Sequence, residues 1–361
     1  ILLNGAITNE GTGNVFDVPL KLGWSATVVS SANSFTINGA IDTAGHVLTY
    51  NAAGSQYDNI LVVNSEISGS GDVAITGVAA SHTSRTVVLT GNNSYTGSTS
   101  VSNVILAVRH DNALGAGDGS SATGTSVAAY PAGLQLEDGV TVSNELLSGD
   151  FFYLRAIGDG ITHTWNGDIE GLTQVIIRTF DSGGRIVING SVAVGDGAVT
   201  SFGSGTVEFN GQVTGRNFAT SGSNGAIEVN GSVHTEDGSA FSNILLGDGV
   251  ITSENTNHNA YFSGQVNPGK TNSTGILTLE GAWFDTGSTL AVDIEGITPG
   301  TGHDQLVVNG EVKLAGSLDV SLGYVPSVGE SFVLIANDGV DPVVGTFDGL
   351  TEGELFAVGI N

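Results

Sequence analysis

The chain of 361 residues carries 36 acidic against 9 basic side chains, a formal net charge of −27, with no Cys and no Met. That balance repels a phosphate backbone and an anionic membrane surface, so no nucleic-acid partner is expected; cysteine chemistry is excluded, and no run of about 18 apolar residues marks a transmembrane helix. Gly, at 55 residues, stands at about twice its usual ~7% share, while apolar residues at 40% are too many for a disordered chain.

Only 12% of the residues are charged, so the surface must be built largely from Ser, Thr, Asn and Gly. With no Met, the chain is expected to be a processed product or a fragment, and a secretion signal is the expected missing leader. Together these features fit an extracellular or cell-surface protein of bacterial origin.

From Ile1 to about Thr90 the text consists of short strand-like runs punctuated by Gly and Asn. Leu2-Leu3-Asn4-Gly5-Ala6-Ile7 and Phe35-Thr36-Ile37-Asn38-Gly39-Ala40-Ile41 share one phrase. Ile60 to Val63 and Val73 to Gly77 read as further strands. No window keeps a 3.6-residue apolar period with caps, so no long helix is expected.

Residues 87–119 hold Leu89-Thr90-Gly91-Asn92, then Tyr95-Thr96-Gly97, and close on Asn112-Ala113-Leu114-Gly115. This segment resembles the autotransporter-associated β-strand repeat of bacterial surface proteins. One departure is Asn103, which stands where that repeat has a Gly. The resemblance implies a right-handed parallel β-helix exported to the cell surface.

Residues 120–160 are less patterned, with an insertion expected around Gly117 to Gly124. Residues 161–233 are the most regular. Ile186-Val187-Ile188-Asn189-Gly190-Ser191-Val192 recurs as Val207 to Val213 and again as Ile227 to Val233, with a looser copy at His163 to Ile169. Alternation of apolar and variable positions is the period-2 mark of a strand with one buried face. Asn-Gly marks a corner, where both residues tolerate the left-handed conformation. Asn-Gly also signals hairpins, so an antiparallel sandwich is the competing fold. Parallel coils are favoured because the phrases recur at about 20 residues in matching columns, whereas meanders turn every ~8–12 residues.

From Asn267 the style changes, and residues 267–361 are expected to continue or cap the solenoid of residues 1–266. Leu277 to Gly281, Leu290 to Ile294 and Asp304 to Gly310 lead toward Gly345 to Leu350. This section is similar to the C-terminal part of long autotransporter-repeat proteins. The ending at Ala357 to Asn361 reads as a truncation or processing site. The expected fold is thus all-β, a β-solenoid of about 20-residue coils.

Chemistry has few candidates. Gly264 to Thr271 matches the phosphate-loop pattern in letters, but that pattern works only between a strand and a helix, and a turn follows here. The seven His are scattered, without metal-ligand spacing, and read as solvated turn residues. Asp293, Glu295 and Asp304 are close in sequence, yet an acid pair at glycosidase separation cannot be read from spacing alone. Asp118, Asp159, Asp196 and Asp248 sit in Gly-Asp-Gly corners and are the candidate calcium ligands, although Asp also favours tight turns by bonding its own backbone. Glu208 and Glu228 are expected to stack in adjacent coils on a solvent-screened outer face. No catalytic or cofactor-binding residue is assigned.

The functional expectation is a non-enzymatic extracellular structural protein: a β-solenoid stalk, or a subunit of a surface fibre that self-associates head to tail or by strand donation. Ile1, Leu2 and Leu3 at one end and Phe356, Val358 and Ile360 at the other are the assembly candidates. The competing expectation is a β-helix adhesin or enzyme that binds or degrades carbohydrate, with a glycan or cell-surface ligand.

Overall fold

The computed structural model describes residues 1–31, 34–54, 60–78, 85–128, 130–221, 225–255, 260–355 and 358. Among them every regular element is a β-strand, and no helix is long and apolar enough to cross a membrane. Strands of successive coils pair in parallel, so the fold is a β-solenoid with coils of about 23 residues. The hairpin alternative fails on strand direction. The coil exceeds the expected 20 residues because the regular phrases that set that period lie where coils are short. The chain forms two compact units, Ile1–Val194 and Gly195–Asn361.

In the first unit the strands fall into three columns. The first column begins with Leu2–Leu3, Leu20–Leu22, Ile41–Asp42 and Ile67–Ser68. The second runs Ala6–Asn9, Ala26–Ser30, Leu48–Ala52, Val73–Gly77, Thr99–Ser102 and Thr125–Val127. The third runs Asn14–Phe16, Phe35–Ile37, Ile60–Val63, Thr86–Leu89, Ile105–Val108 and Gly133–Leu136. Alternation decides which side faces in: Ala26–Ser30 and Leu48–Ala52 are buried at every second residue. In-register pairing then stacks like on like. Val28, Tyr50, Ile75, Val101 and Val127 form one buried column. Each Val or Ile of that column contributes roughly 1.5–3 kcal/mol on full burial.

Bonds between neighbouring coils give the repeat length directly. In the first unit they span 21 residues at Lys21–Asp42, 26 at Ser98–Asp72 and 23 at Ser191–Asp168. The corners carry polar ladders. Asn38 donates to Asp17 at 2.7 Å, Asn64 donates to Asn38 at 3.0 Å, and the Thr90 hydroxyl donates to Asn64 at 2.9 Å. Asn189 donates to Asn166 at 2.6 Å in the same manner.

The Asn-Gly corners correct one expectation. Gly39, Gly167 and Gly190 are not left-handed; a Cβ there would meet the preceding coil's backbone oxygen, at 2.1 Å from Val18, 1.8 Å from Glu145 and 1.9 Å from Gly167 respectively. These glycines serve close approach between coils, not a special φ. The left-handed conformation falls elsewhere, notably at Asn103 with φ of 56°. Asn is among the few side-chain-bearing residues that adopt it readily, which explains how it replaces a Gly there.

In the second unit the expected columns form. Val207 pairs with Ile227, Phe209 with Val229, and Val213 with Val233. The core of this unit is an aromatic ladder. Phe209, Phe218, Phe241, Phe262, Phe284 and Phe347 follow one another with ring centroids 5.1 to 6.0 Å apart. Such pairs add about 0.5–1.5 kcal/mol beyond their burial.

The change of style at Asn267 is a change of coil length rather than a break in pairing. Tyr261 pairs with Trp283 and Val266 with Leu290 in parallel register. Coil-to-coil bonds span 18 residues at His234–Thr252 and 28 at Gln305–Val333. Ladders continue to Asn337 and Gly345 through Leu306–Ile335 and Val312–Val343.

Candidate functional site

The residues whose placement packing does not explain gather on the outer face of the first unit, across its two longest strands, Leu147–Ala156 and Ile169–Thr179. Each runs through the second and third columns without a break. They pair from Leu147 to Ala156 with a register shift between Gly149 and Phe151. Phe152, Leu154 and Ala156 face the core, which leaves Phe151, Tyr153 and Arg155 on the outer side. In the neighbouring coil Arg178 is the register partner of Arg155.

The rings cluster. Tyr130 stacks on Phe151 with centroids 5.3 Å apart and planes at 15°, and lies 5.8 Å from Tyr153. Gly133, paired with Tyr153, leaves room for it: a Cβ there would sit 3.1 Å from the Tyr153 Cβ. Phe180 completes the patch. The guanidinium carbons of Arg178 and Arg155 lie 4.0 and 5.7 Å from its ring centroid.

The electrostatics of Arg155 stand out. Lys21, Arg109, Arg216, Lys270 and Lys313 each lie within ion-pair distance of a carboxylate. Arg155 has no such partner among the described residues, and its buried Nε makes no hydrogen bond. Burial, then the Arg178 charge, pulls its pKa down to about 10, while Tyr153 opposes the shift. It therefore stays cationic at neutral pH, half-buried beside a like charge. Chemically, the patch offers flat apolar rings and a planar cation with an unused donor.

Compared with family models, with curated proteins and with solved structures, the chain matches none.

Asp118, Asp159, Asp196 and Asp248 all lie exposed, and among the described residues no cluster of three or more His, Asp or Glu is arranged to hold a metal. Asp118 closes its own turn, accepting from the Ser120 amide at 2.9 Å and the Thr123 hydroxyl at 2.6 Å, which lowers its pKa to about 2. Asp248 faces the Lys270 ammonium at 3.4 Å.

The phosphate-loop letters form a strand, Gln265–Pro268, and a turn. Gly269 pairs with Gly247, and the Thr271 hydroxyl donates to Glu228 at 2.7 Å. That last bond corrects the expectation for Glu228. It stacks on Glu208 in register, but it is buried, not solvent-screened. The Asn230 amide bridges the pair, donating to Glu208 at 3.1 Å and Glu228 at 3.0 Å.

Two histidines also differ from the solvated turns expected of them. His163 and His303 are buried, and burial lowers the His163 pKa. His82 and His258 lie outside the described residues. Asp304 is buried and accepts from the Gly275 and Asp293 amides at 2.8 and 2.9 Å, tying two chain segments together. Among the assembly candidates, Ile1 and Leu2 are exposed, Leu3 and Val358 half-buried, and Leu2–Leu3 pairs with the next coil at Lys21 and Leu22. Phe356 and Ile360 lie outside the described residues.

Reading the sequence in a straight line misses the arginine and ring patch. The available signal was the spacing of Arg155 and Arg178, which is one coil, in a chain with few cations.

Proposed function

We propose that this protein is a non-enzymatic structural β-solenoid of the cell exterior, serving as a stalk or as the subunit of a surface fibre. One observation carries the reading. The repeated phrases are consumed in coil-to-coil stacking: Asn on Asn at the corners, glycine under the preceding coil's carbonyl, and Phe on Phe in the core. Stacked coils of this kind propagate along one axis and suit a shaft. The same surface chemistry and the resemblance at residues 87–119 favour export by an autotransporter-like route.

Self-association is part of the proposal. A terminal coil offers unpaired strand edges, and a head-to-tail contact between them need not close into a ring. Ile1, Leu2 and Leu3 with Phe356, Val358 and Ile360 are the segments assigned to that contact. Electron microscopy of the purified chain over a concentration series tests it: elongated particles that join end to end are expected. Compact monomers at every concentration would sink it. Release of reducing ends from a polysaccharide panel would sink the non-enzymatic part instead.

A further inference from the structure

We propose that the outer face formed by Arg155, Arg178 and Phe180, with the Tyr130, Phe151 and Tyr153 rings beside it, binds a glycan carrying one carboxylated sugar among neutral ones. This goes beyond the shaft reading and does not depend on it.

The first argument is cost. A desolvated cation with an unmade donor is destabilising, by about 1–3 kcal/mol for the lost hydrogen bond alone. Placing it in register with a second arginine adds repulsion. Nothing in the packing demands it: Gln135, its other register neighbour, shows that a neutral side chain fits the same column. A group that costs stability and has no internal partner fits an external anion.

The second argument is shape. Guanidinium groups bind carboxylates through paired, planar hydrogen bonds, so the ligand's charge is expected to be a carboxylate. Phe180 under both cations limits their motion and keeps the forks oriented. The neighbouring rings offer flat apolar surface, which suits the C–H face of a pyranose. Tyr130 is 48% exposed, so part of this platform is open to solvent.

The third argument limits the charge. With a net charge of −27 the chain repels any dense polyanion. A polyuronate or a nucleic acid would pay that repulsion along its whole length. One carboxylate in an otherwise neutral glycan meets two local cations and little of the distant field, which salt screens within about 8–10 Å.

The test is calorimetric titration of the full chain with β-glucuronosyl-(1→4)-glucose, with cellobiose, and with inorganic phosphate. The acidic disaccharide should bind at least ~10-fold tighter than cellobiose. Arg155→Gln should reduce it to the level of cellobiose, and phosphate should not displace it. Arg155→Met, which removes the charge but keeps the packing, should melt no lower than the parent. Equal affinity for the two sugars, no binding of either, or displacement by phosphate would overturn the proposal. So would a clear fall in the melting temperature of Arg155→Met, which would make Arg155 part of the fold's own support.

Discussion

A glycine series separates the two physical reasons for glycine in this fold. At Gly190 a Cβ would lie 1.9 Å from the Gly167 carbonyl oxygen, and its φ is unremarkable. Non-bonded carbon and oxygen need roughly 3.0–3.4 Å, so the two coils must part by more than ~1 Å. Three contacts flank that point: Ile169 N to Ser191 O at 2.8 Å, Asn189 N to Trp165 O at 2.9 Å, and Asn189 to Asn166 at 2.6 Å. Stretching each by that much takes it out of bonding range. At about 1 kcal/mol per bond, Gly190→Ala should cost about 3 kcal/mol. Gly160 has nothing within 4 Å but φ of +67°, so its Ala variant should cost about 1–2 kcal/mol from backbone strain alone. Gly287 is neither left-handed nor crowded, its nearest neighbour atom being 3.9 Å away, so Ala there should stabilise by about 0.4–1 kcal/mol. Urea midpoints at unchanged m-value measure all three. Gly190→Ala within about 0.5 kcal/mol of the parent, or no more harmful than Gly160→Ala, would refute the close-approach argument.

Other outcomes follow from the same geometry. Phe241→Ala removes the middle of the ring ladder, with neighbours at 5.6 Å on both sides, and should cost about 3–5 kcal/mol by thermal or urea unfolding. Glu145 is buried, and burial raises its pKa from 4.5 to about 7, against the opposing Thr125 hydrogen bond. A carboxyl that holds its proton more tightly when folded stabilises the fold below its unfolded pKa and loses that contribution as pH rises. Stability should therefore fall between pH 4.5 and 7, by on the order of 2–3 kcal/mol from this group, and Glu145→Gln should flatten that slope in urea titrations at several pH values. Asp304, raised to about 6 by burial, should add a smaller fall in the same direction. Because no three described His, Asp or Glu side chains gather to hold a metal, EDTA should leave the melting temperature where it was. A drop restored by calcium would show a site outside the geometry described.

Much of the fold was legible because a solenoid writes its packing as a period. The Val213–Val233 and Val207–Ile227 pairs could be aligned by eye, since each coil repeats the same inward positions. The candidate site was not legible in the same way. Tyr130, Phe151, Tyr153, Arg155, Arg178 and Phe180 come from different coils and share no phrase. They meet only through register and a shift between Gly149 and Phe151. Glu228 was misplaced because the residue that covers it, Thr271, is 43 positions away.

The sequence alone determined the class of structure: strands from alternation, corners from Asn-Gly, and repulsion of polyanions from net charge. Those properties are local or additive, and each can be read without knowing what lies above or below in the stack. Only the tertiary structure decided what each corner glycine is for, which acids are buried, and that Arg155 has no carboxylate beside it among the described residues. All three depend on the coil lying on top, and the distance along the chain to that coil varies from 18 residues at Val233–Ile251 to 31 at Val312–Val343 in the second unit. A one-residue change in that distance turns a side chain to the other face, so the contacts are set by register and cannot be read from composition.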